Sequence, residues 1–126
     1  MALKGLKFEF ISPPDMDGTA HRLILLRIKK DRYYLEYKKG NNFKEIDITK
    51  NINGFCQGLK DMNIAEWNFQ CFNEPWSRFL HFYWDLSITT DDVNIVCKGM
   101  DNFPENWSAF RKLLCQLGIA DSKLPF

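Results

Sequence analysis

The chain reads WDLSITTDDVNIVCKGMDNFPENWSAFRKLLCQL from Trp84 to Leu117, and the local signals within this stretch agree with one another. Apolar residues alternate with polar ones up to Ile88, and they alternate again from Val93 after an acidic turn, which predicts two antiparallel strands. Pro104 suits the first position of a helix, and apolar residues recur at helical spacing after it. The stretch therefore predicts a strand, a turn, a second strand and a helix.

Two helices are predicted, each with an apolar stripe at positions i, i+3, i+7 and i+10. The stripes consist of Ile52, Phe55, Leu59 and Met62 in the first helix and of Trp107, Phe110, Leu114 and Leu117 in the second. We expect Thr49 or Asn51 to cap the first helix, and Gly118 to close the second in a Schellman ending. Gly54 and Gly58 would let the first helix lie close against a sheet.

Alternation of apolar and polar residues predicts the strands. The predicted strands are 6–10, 21–29, 32–38, 43–48, 66–72, 77–88 and 93–98, with tight turns at 30–31 and 40–42. The chain has no repeat, linker or low-complexity segment. We therefore expect residues 1–126 to form a single α+β domain, an antiparallel β-sheet of five to seven strands with two α-helices packed on one face.

The charge is divided unevenly along the chain, although the formal net charge is only +1. The segment from Arg22 to Lys44 contains eight Lys and Arg but only two acids. The segment from Asp61 to Glu105 contains eight acids but only two cations. The two halves could attract each other across one sheet, or they could present a basic and an acidic face to a partner. Eleven Phe, four Tyr and four Trp also indicate either a dense core or a binding surface, and we favour the core.

The sequence predicts a cytoplasmic protein, because it has no apolar run of the roughly 18 residues that span a membrane and no signal peptide. The cysteines are then expected to be reduced thiols among apolar neighbours. They are Cys56, Cys71, Cys97 and Cys115. Because their spacing lacks the paired short-range ligands of a structural zinc site, we predict neither a metal nor a cofactor.

The sequence predicts no catalytic residues. Only His21 and His81 could act as a base near neutral pH. His81 shares a predicted strand face with Asp85, but four residues of strand separate them by roughly 13 Å, so they cannot touch. No nucleophile elbow or phosphate-binding loop is present either. An enzyme that uses His81 with an acid from another strand is a third, weaker hypothesis.

Two binding functions remain. The segment 27–39 interleaves cations with tyrosines, so Arg32 and Lys39 could contact phosphates while Tyr34 and Tyr37 stack on bases. The same pattern is typical of a hairpin whose charges protect a sheet edge, and the pI near 7.6 is low for a nucleic-acid binder.

The other function is recognition of a partner protein. The strand face that carries His81 and Tyr83 is unusually aromatic, and we expect a helix to cover it, with a partner protein as the alternative. Trp76 follows Pro75, which interrupts the predicted strand, and could anchor an interface. The candidate partner-binding residues are Arg32, Tyr34, Tyr37, Lys39, Trp76, His81 and Tyr83.

The segment that runs from the WDLSI strand into the last helix resembles a diffuse group of small uncharacterised bacterial domains. These pair a W-x-L-x-I strand with a returning strand, followed by G-x-N-x-(Y/F)-P-x-N-(F/W) at the entry of an amphipathic helix. The matching residues are Gly99, Phe103, Pro104, Asn106 and Trp107, while Asp101 stands where Asn is expected. The resemblance covers about 30 residues, implies the fold of the C-terminal part, and transfers no functional residue.

Similar domains look like accessory or conflict-system proteins of bacteria and their mobile elements, including phages. Together with the missing catalytic set, this resemblance leads to our functional hypothesis. We predict a small intracellular protein-binding factor, an inhibitor or immunity-type protein, that acts on a partner protein. The alternative is binding of nucleic acid or a nucleotide through the hairpin 27–39.

Overall fold

The computed structural model describes residues 2–11, 21–40, 42–68, 70–73, 83–100 and 102–120. Seven strands and two α-helices lie within these ranges. The strands are β1 (Leu3–Ile11), β2 (His21–Lys29), β3 (Arg32–Lys39), β4 (Asn42–Asp47), β5 (Cys71–Asn73), β6 (Tyr83–Thr90) and β7 (Asn94–Met100), and the helices are α1 (Ile52–Asp61) and α2 (Trp107–Gln116).

The strands form one sheet in the order β4-β3-β2-β1-β6-β7-β5. Every neighbouring pair is antiparallel except β5 and β7, which run parallel. β1 therefore lies in the middle of the sheet, between β2 and β6. The α+β fold with an antiparallel sheet and two helices on one face, predicted from the sequence, is confirmed.

The meander from β1 to β4 follows from the alternating sequence and from two tight turns. Lys30 adopts a φ of 57° in the turn between β2 and β3, and Gly40 adopts the same φ at the end of β3. Glycine adopts this left-handed conformation without an energetic cost, whereas Lys30 adopts it at the cost that its Cβ imposes. Both turns confirm the hairpin positions expected from the sequence.

Both helices pack on the same face of the sheet, which we call the helix face. One hydrophobic core joins them to the strands, and alternate residues of each strand point into it. Its fully buried large side chains are Phe8, Phe10, Ile24, Leu35, Ile48, Leu59, Ile64, Trp84, Leu86, Ile88, Ile95 and Phe110. Neither ten-residue helix has the length and hydrophobicity that a membrane span requires.

Asn106 connects the two helical parts of the molecule. Trp67, which is almost fully buried, donates its indole N–H to Asn106 Oδ1 at 2.8 Å. The Asn106 amide donates in turn to the backbone carbonyl of Met62 at 2.9 Å. The side chain is occupied by these two bonds and makes no capping bond to α2, although Asn106 holds the N-cap position.

The segment predicted as a strand at 66–72 is mostly a different structure, and that prediction was wrong. Residues Ile64–Trp67 form a 3-10 helix after Asn63, whose φ of 56° ends the preceding helix. Among the described residues of this segment, the strand is Cys71–Asn73, which pairs with β7. The period-two pattern misled the prediction because Trp67 is buried by packing on Trp107, with ring centroids 5.9 Å apart, and not by a place in the sheet.

The predicted caps of α1 do not form, and of its two glycines only one makes a close contact. Neither Thr49 nor Asn51 caps α1 by a side-chain bond; a short 3-10 helix, Thr49–Asn51, leads into it instead. Gly58 lies against Leu113 of α2, where an added Cβ would come within 2.3 Å of a methyl group, so it serves helix-to-helix contact and not contact with the sheet. Gly54 has open space around it.

The C-terminal helix ends as predicted but begins later. The Ile119 N–H bonds to the Leu114 carbonyl at 3.3 Å and the Gly118 N–H to the Cys115 carbonyl at 3.0 Å, which is the Schellman pattern. Gly118 has a φ of 113°. Pro104 lies in a turn before α2, and its carbonyl accepts the N–H of Trp107, so it does not occupy the first helical position.

Candidate functional site

The second face of the sheet carries no described helix, and we call it the open face. Four of the five large apolar side chains that are exposed in the described residues lie on it, namely Ile11, Phe43, Tyr83 and Val96. The expectation that a helix covers the aromatic face containing Tyr83 is therefore wrong for the described chain. Tyr83 is 47% exposed, because both helices pack on the opposite side of the sheet.

The part of the open face formed by β2, β3 and β4 carries both apolar and charged side chains, and we call it the meander patch. The register of the strands places eleven side chains in it. They are Leu23, Leu25, Arg27, Lys29, Arg32, Tyr34, Glu36, Lys38, Phe43, Glu45 and Asp47.

Three cations of the meander patch are held by carboxylates of the same three strands. Arg27 Nε lies 3.2 Å from Glu36, Lys29 Nζ lies 3.8 Å from Glu45, and Arg32 Nη2 lies 2.6 Å from Asp47. Opposite charges next to each other on one sheet face stabilise strand pairing. The excess of positive charge between Arg22 and Lys44 is thus partly neutralised locally, by acids of β3 and β4.

The acids of these pairs are less exposed than the cations. Side-chain exposure is 50% for Arg27 against 9% for Glu36, 64% for Lys29 against 32% for Glu45, and 58% for Arg32 against 37% for Asp47. The cationic ends therefore form the outer layer of the patch, over carboxylates that lie closer to the sheet. A partner that approaches this surface meets positive charge first.

Asp47 accepts hydrogen bonds from both Thr49 and Arg32. Its Oδ1 accepts hydrogen bonds from the Thr49 hydroxyl at 2.6 Å and the Thr49 N–H at 2.9 Å, while Oδ2 accepts both Arg32 Nη2 and Arg32 Nε. The bonds from Thr49, followed by those from Arg32, hold the pKa of Asp47 well below its usual range. The same pairing raises the pKa of Arg32. Arg32 is thus fixed in one direction before any partner arrives.

Glu36 is the most buried charge of the patch. It lies directly opposite Glu45, and like charges in that position repel unless cations separate them. Arg27 does so, because its Nε lies 3.2 Å from Glu36 Oε2. The contact is an ion pair without a hydrogen bond, since charge attraction at this distance does not require a straight N–H···O arrangement.

The apolar part of the patch centres on Phe43, which is 56% exposed at the edge strand. Lys38 lies opposite Phe43 and places its ammonium group 5.8 Å from the ring centroid. Lys29 covers the half-buried Tyr34 in the same way, at 5.5 Å. Cations above aromatic rings are common in binding surfaces because the ring face attracts positive charge.

The structure separates the candidate residues predicted from the sequence. Arg32 and Tyr34 lie in the meander patch, and Tyr83 lies farther along the open face. Tyr37 and Lys39 point to the helix face, and Tyr37 is only 5% exposed, so stacking of Tyr37 on bases is a wrong prediction. Its burial raises the pKa of its hydroxyl. Trp76 and His81 lie outside the described residues.

The sequence interpretation missed three apolar members of the patch: Leu23, Leu25 and Phe43. The signal was available in β2, where apolar residues occur on both faces. A strand of that kind is normally covered on both sides. Here Leu23 and Leu25 are only half-buried, since the open face has no covering layer in the described chain.

Other chemistry has little support in the described structure. Among the described residues no group of three His, Cys, Asp or Glu side chains could hold a metal ion. His21 accepts or donates a hydrogen bond with Glu9 at 2.9 Å, and both side chains face solvent. Cys56 and Cys97 are buried thiols in no disulfide, and burial raises the pKa of Cys97 to about 12.

The resemblance of the C-terminal segment to small bacterial domains stays a prediction, although its residues have clear structural work. Asn106 bonds to Trp67, and Phe103 stacks on Trp84 with centroids 5.5 Å apart. These contacts explain the pattern by folding and not by function. The sequence matches no protein-family model, and comparison with curated proteins finds no relative.

Proposed function

We propose that this protein is a binding factor that docks the acidic surface of a partner protein on the meander patch. The observation that carries the proposal is the layered charge of that patch. Cations half or more exposed lie above carboxylates that the sheet partly hides, next to the exposed ring of Phe43. Apolar anchors surrounded by oriented charge are typical of protein interfaces.

The meander patch has the dimensions of a small interface. Three strands at about 4.8 Å spacing and about seven residues in length give roughly 330 Å² in projection, and the relief of the side chains raises the accessible area above that figure. Contacts of this size fit a transient complex, which is smaller than the ~800 Å² per partner of a standard one. No chain rearrangement is needed, because β-sheet scaffolds and paired side chains are ordered before binding.

The pairing of the cations favours a protein over a nucleic acid. Arg27, Lys29 and Arg32 each have a carboxylate within 4 Å, so a phosphate backbone would meet nearby negative charge at each of them. Phosphate binding gains most of its free energy from unpaired cations that release counterions. A protein partner can use the same arrangement, since its own mixed charges can pair with both layers.

A rigid binding face fits the role of an inhibitor or immunity-type protein, which acts by covering a functional surface of its partner. Within the proposal, Phe43 enters an apolar pocket of the partner while Arg27 and Arg32 contact its acids. Burial of the exposed half of the Phe43 ring, about 110 Å², is worth about 2 to 3 kcal/mol. That amounts to roughly 30- to 150-fold in Kd.

The test is affinity capture from host and target cells with three baits: the wild-type chain, Phe43→Asp and Val96→Asp. Val96 is a matched control, because it is exposed to a similar degree on the same face but lies in β7. We expect an acidic protein that binds wild type and Val96→Asp and is lost with Phe43→Asp. The complex, once purified, should weaken by the fold-change given above for Phe43→Ala and associate more slowly at high salt.

Equal capture by all three baits would refute the meander patch as the docking site. Binding of single-stranded DNA or RNA, measured by fluorescence anisotropy and lost with Arg32→Ala, would support the alternative function instead. That result would also require a steep dependence of affinity on salt.

A further inference from the structure

The helix face holds a second group of cations, which differs from the meander patch in having no carboxylate of the described ranges paired with it. We call Arg22, Lys39 and Lys44 the basic patch. Arg22 lies directly opposite Lys39 across β2 and β3, and Lys44 lies opposite Tyr37 across β3 and β4. The three side chains therefore share one face, on three neighbouring strands.

The close placement of these cations is unfavourable by itself. Directly opposite residues of an antiparallel pair have Cβ atoms about 5 Å apart, and like charges there destabilise the sheet. Lys44 is one diagonal position from Lys39, at roughly 7 to 8 Å. On the open face of the same strands, Arg27, Lys29 and Arg32 each have a carboxylate partner, whereas no carboxylate among the described residues forms an ion pair with the basic patch.

Arg22 shows the missing partner most directly. Its Nε atom is buried and makes no hydrogen bond, although a guanidinium normally uses its donors when it is removed from water. The guanidinium carbon lies over the ring of Phe10, 5.7 Å from the ring centroid, and this contact supplies no oxygen acceptor for the Nε–H. A buried donor without an acceptor is costly, and an anion beside the guanidinium would stabilise its charge.

We propose that the basic patch is a binding site for a phosphate or phosphomonoester group. Three cations on neighbouring strands more than balance the two negative charges of a phosphate dianion, and the planar guanidinium of Arg22 suits recognition of a phosphate group. Tyr37 lies near Arg22: burial raises the pKa of Tyr37, and the positive charge of Arg22 opposes that rise.

The site is independent of the proposed docking function, since the two lie on opposite faces of the sheet. Failure of one therefore leaves the other intact. Charge-removing variants also separate them: Arg22→Gln and Lys39→Gln alter the basic patch, whereas the substitutions at Phe43 and Val96 alter the open face.

The experiment is an NMR titration of the whole chain with inorganic phosphate, using sodium chloride at matched ionic strength as the reference. Adenosine monophosphate and phosphoserine are titrated in parallel to show which source of the phosphate group binds best. We expect phosphate-specific shifts at β2 and β3, and a Kd about tenfold higher in Arg22→Gln and in Lys39→Gln, as for loss of a charge-assisted hydrogen bond. Lys112→Gln, an exposed change of equal charge on α2, should leave the Kd unchanged.

Thermal melting without phosphate provides a second measurement. Removal of one like charge should leave the melting temperature of Arg22→Gln and Lys39→Gln at or about 2 °C above that of wild type. The double variant carries both Arg22→Gln and Lys39→Gln. Equal phosphate affinity of wild type and this double variant would overturn the proposal, as would NMR shifts that sodium chloride reproduces. A clearly lower melting temperature of the double variant would also overturn it, because it would mean that an acid of the chain already neutralises the pair.

Discussion

Asn106→Ala should destabilise the protein by about 3 kcal/mol, although the residue is polar and lies outside every strand. The substitution leaves the buried indole N–H of Trp67 without an acceptor, which costs 1 to 3 kcal/mol, and removes a second bond worth about 1 kcal/mol at the Met62 carbonyl. With an unfolding entropy of about 2.1 cal/mol/K per residue, the melting temperature should fall by about 11 °C. Urea unfolding followed by tryptophan fluorescence measures the free energy directly.

Asn53→Ala is the matched control, because Asn53 is exposed within α1 and the same substitution there should change stability by less than about 0.5 kcal/mol. A double-mutant cycle with Trp67→Phe isolates the bond itself and should give a coupling energy of about 1 to 2 kcal/mol. If Asn106→Ala costs no more than the control, or if the coupling is zero, Asn106 does not hold the two helical parts together and the argument fails.

Two further predictions concern the helix contact and the acid range. Gly54→Ala should stabilise by about 1 kcal/mol through helix propensity, whereas Gly58→Ala should lose this gain because its methyl group displaces Leu113; Leu113→Ala should remove the difference, and equal melting temperatures of the two glycine variants would contradict the contact. The lowered pKa of Asp47 contributes stability above the ordinary carboxyl pKa near 3.9, and this contribution is lost as the pH falls below that value. Denaturation midpoints between about pH 4 and pH 2 should therefore decline more steeply in wild type than in Asp47→Asn, and parallel pH profiles would count against the pairing.

Local patterns were sufficient for most of the fold. The meander, both helices and the Schellman ending at Gly118 depend on residues close in sequence, where alternation, helical spacing and glycine act directly. The failures lie where distant contacts dominate. Trp67 alternates like a strand residue but is buried by Trp107 and tied to Asn106, and no local pattern contains that information.

The candidate site was harder to predict than the fold. Arg32 and Tyr34 share one face of β3, whereas the period of two puts Tyr37 on the other face, so the candidate residues do not form one surface. The ion pair between Arg32 and Asp47 depends on the register of β3 against β4, and this register could not be predicted from the sequence. Which face the helices cover is also a property of the whole chain.

The central place of β1 has a consequence for how the chain reaches this structure. Phe8 pairs with Ile24 from the adjacent hairpin, but on its other side it pairs with Leu86, so most of the chain must be present before that edge is filled. Until then β1 to β4 form a partial sheet whose apolar edge is open to other molecules. Folding should therefore be slowest at the closure of β1 on β6, and aggregation of newly made chains should compete at that step.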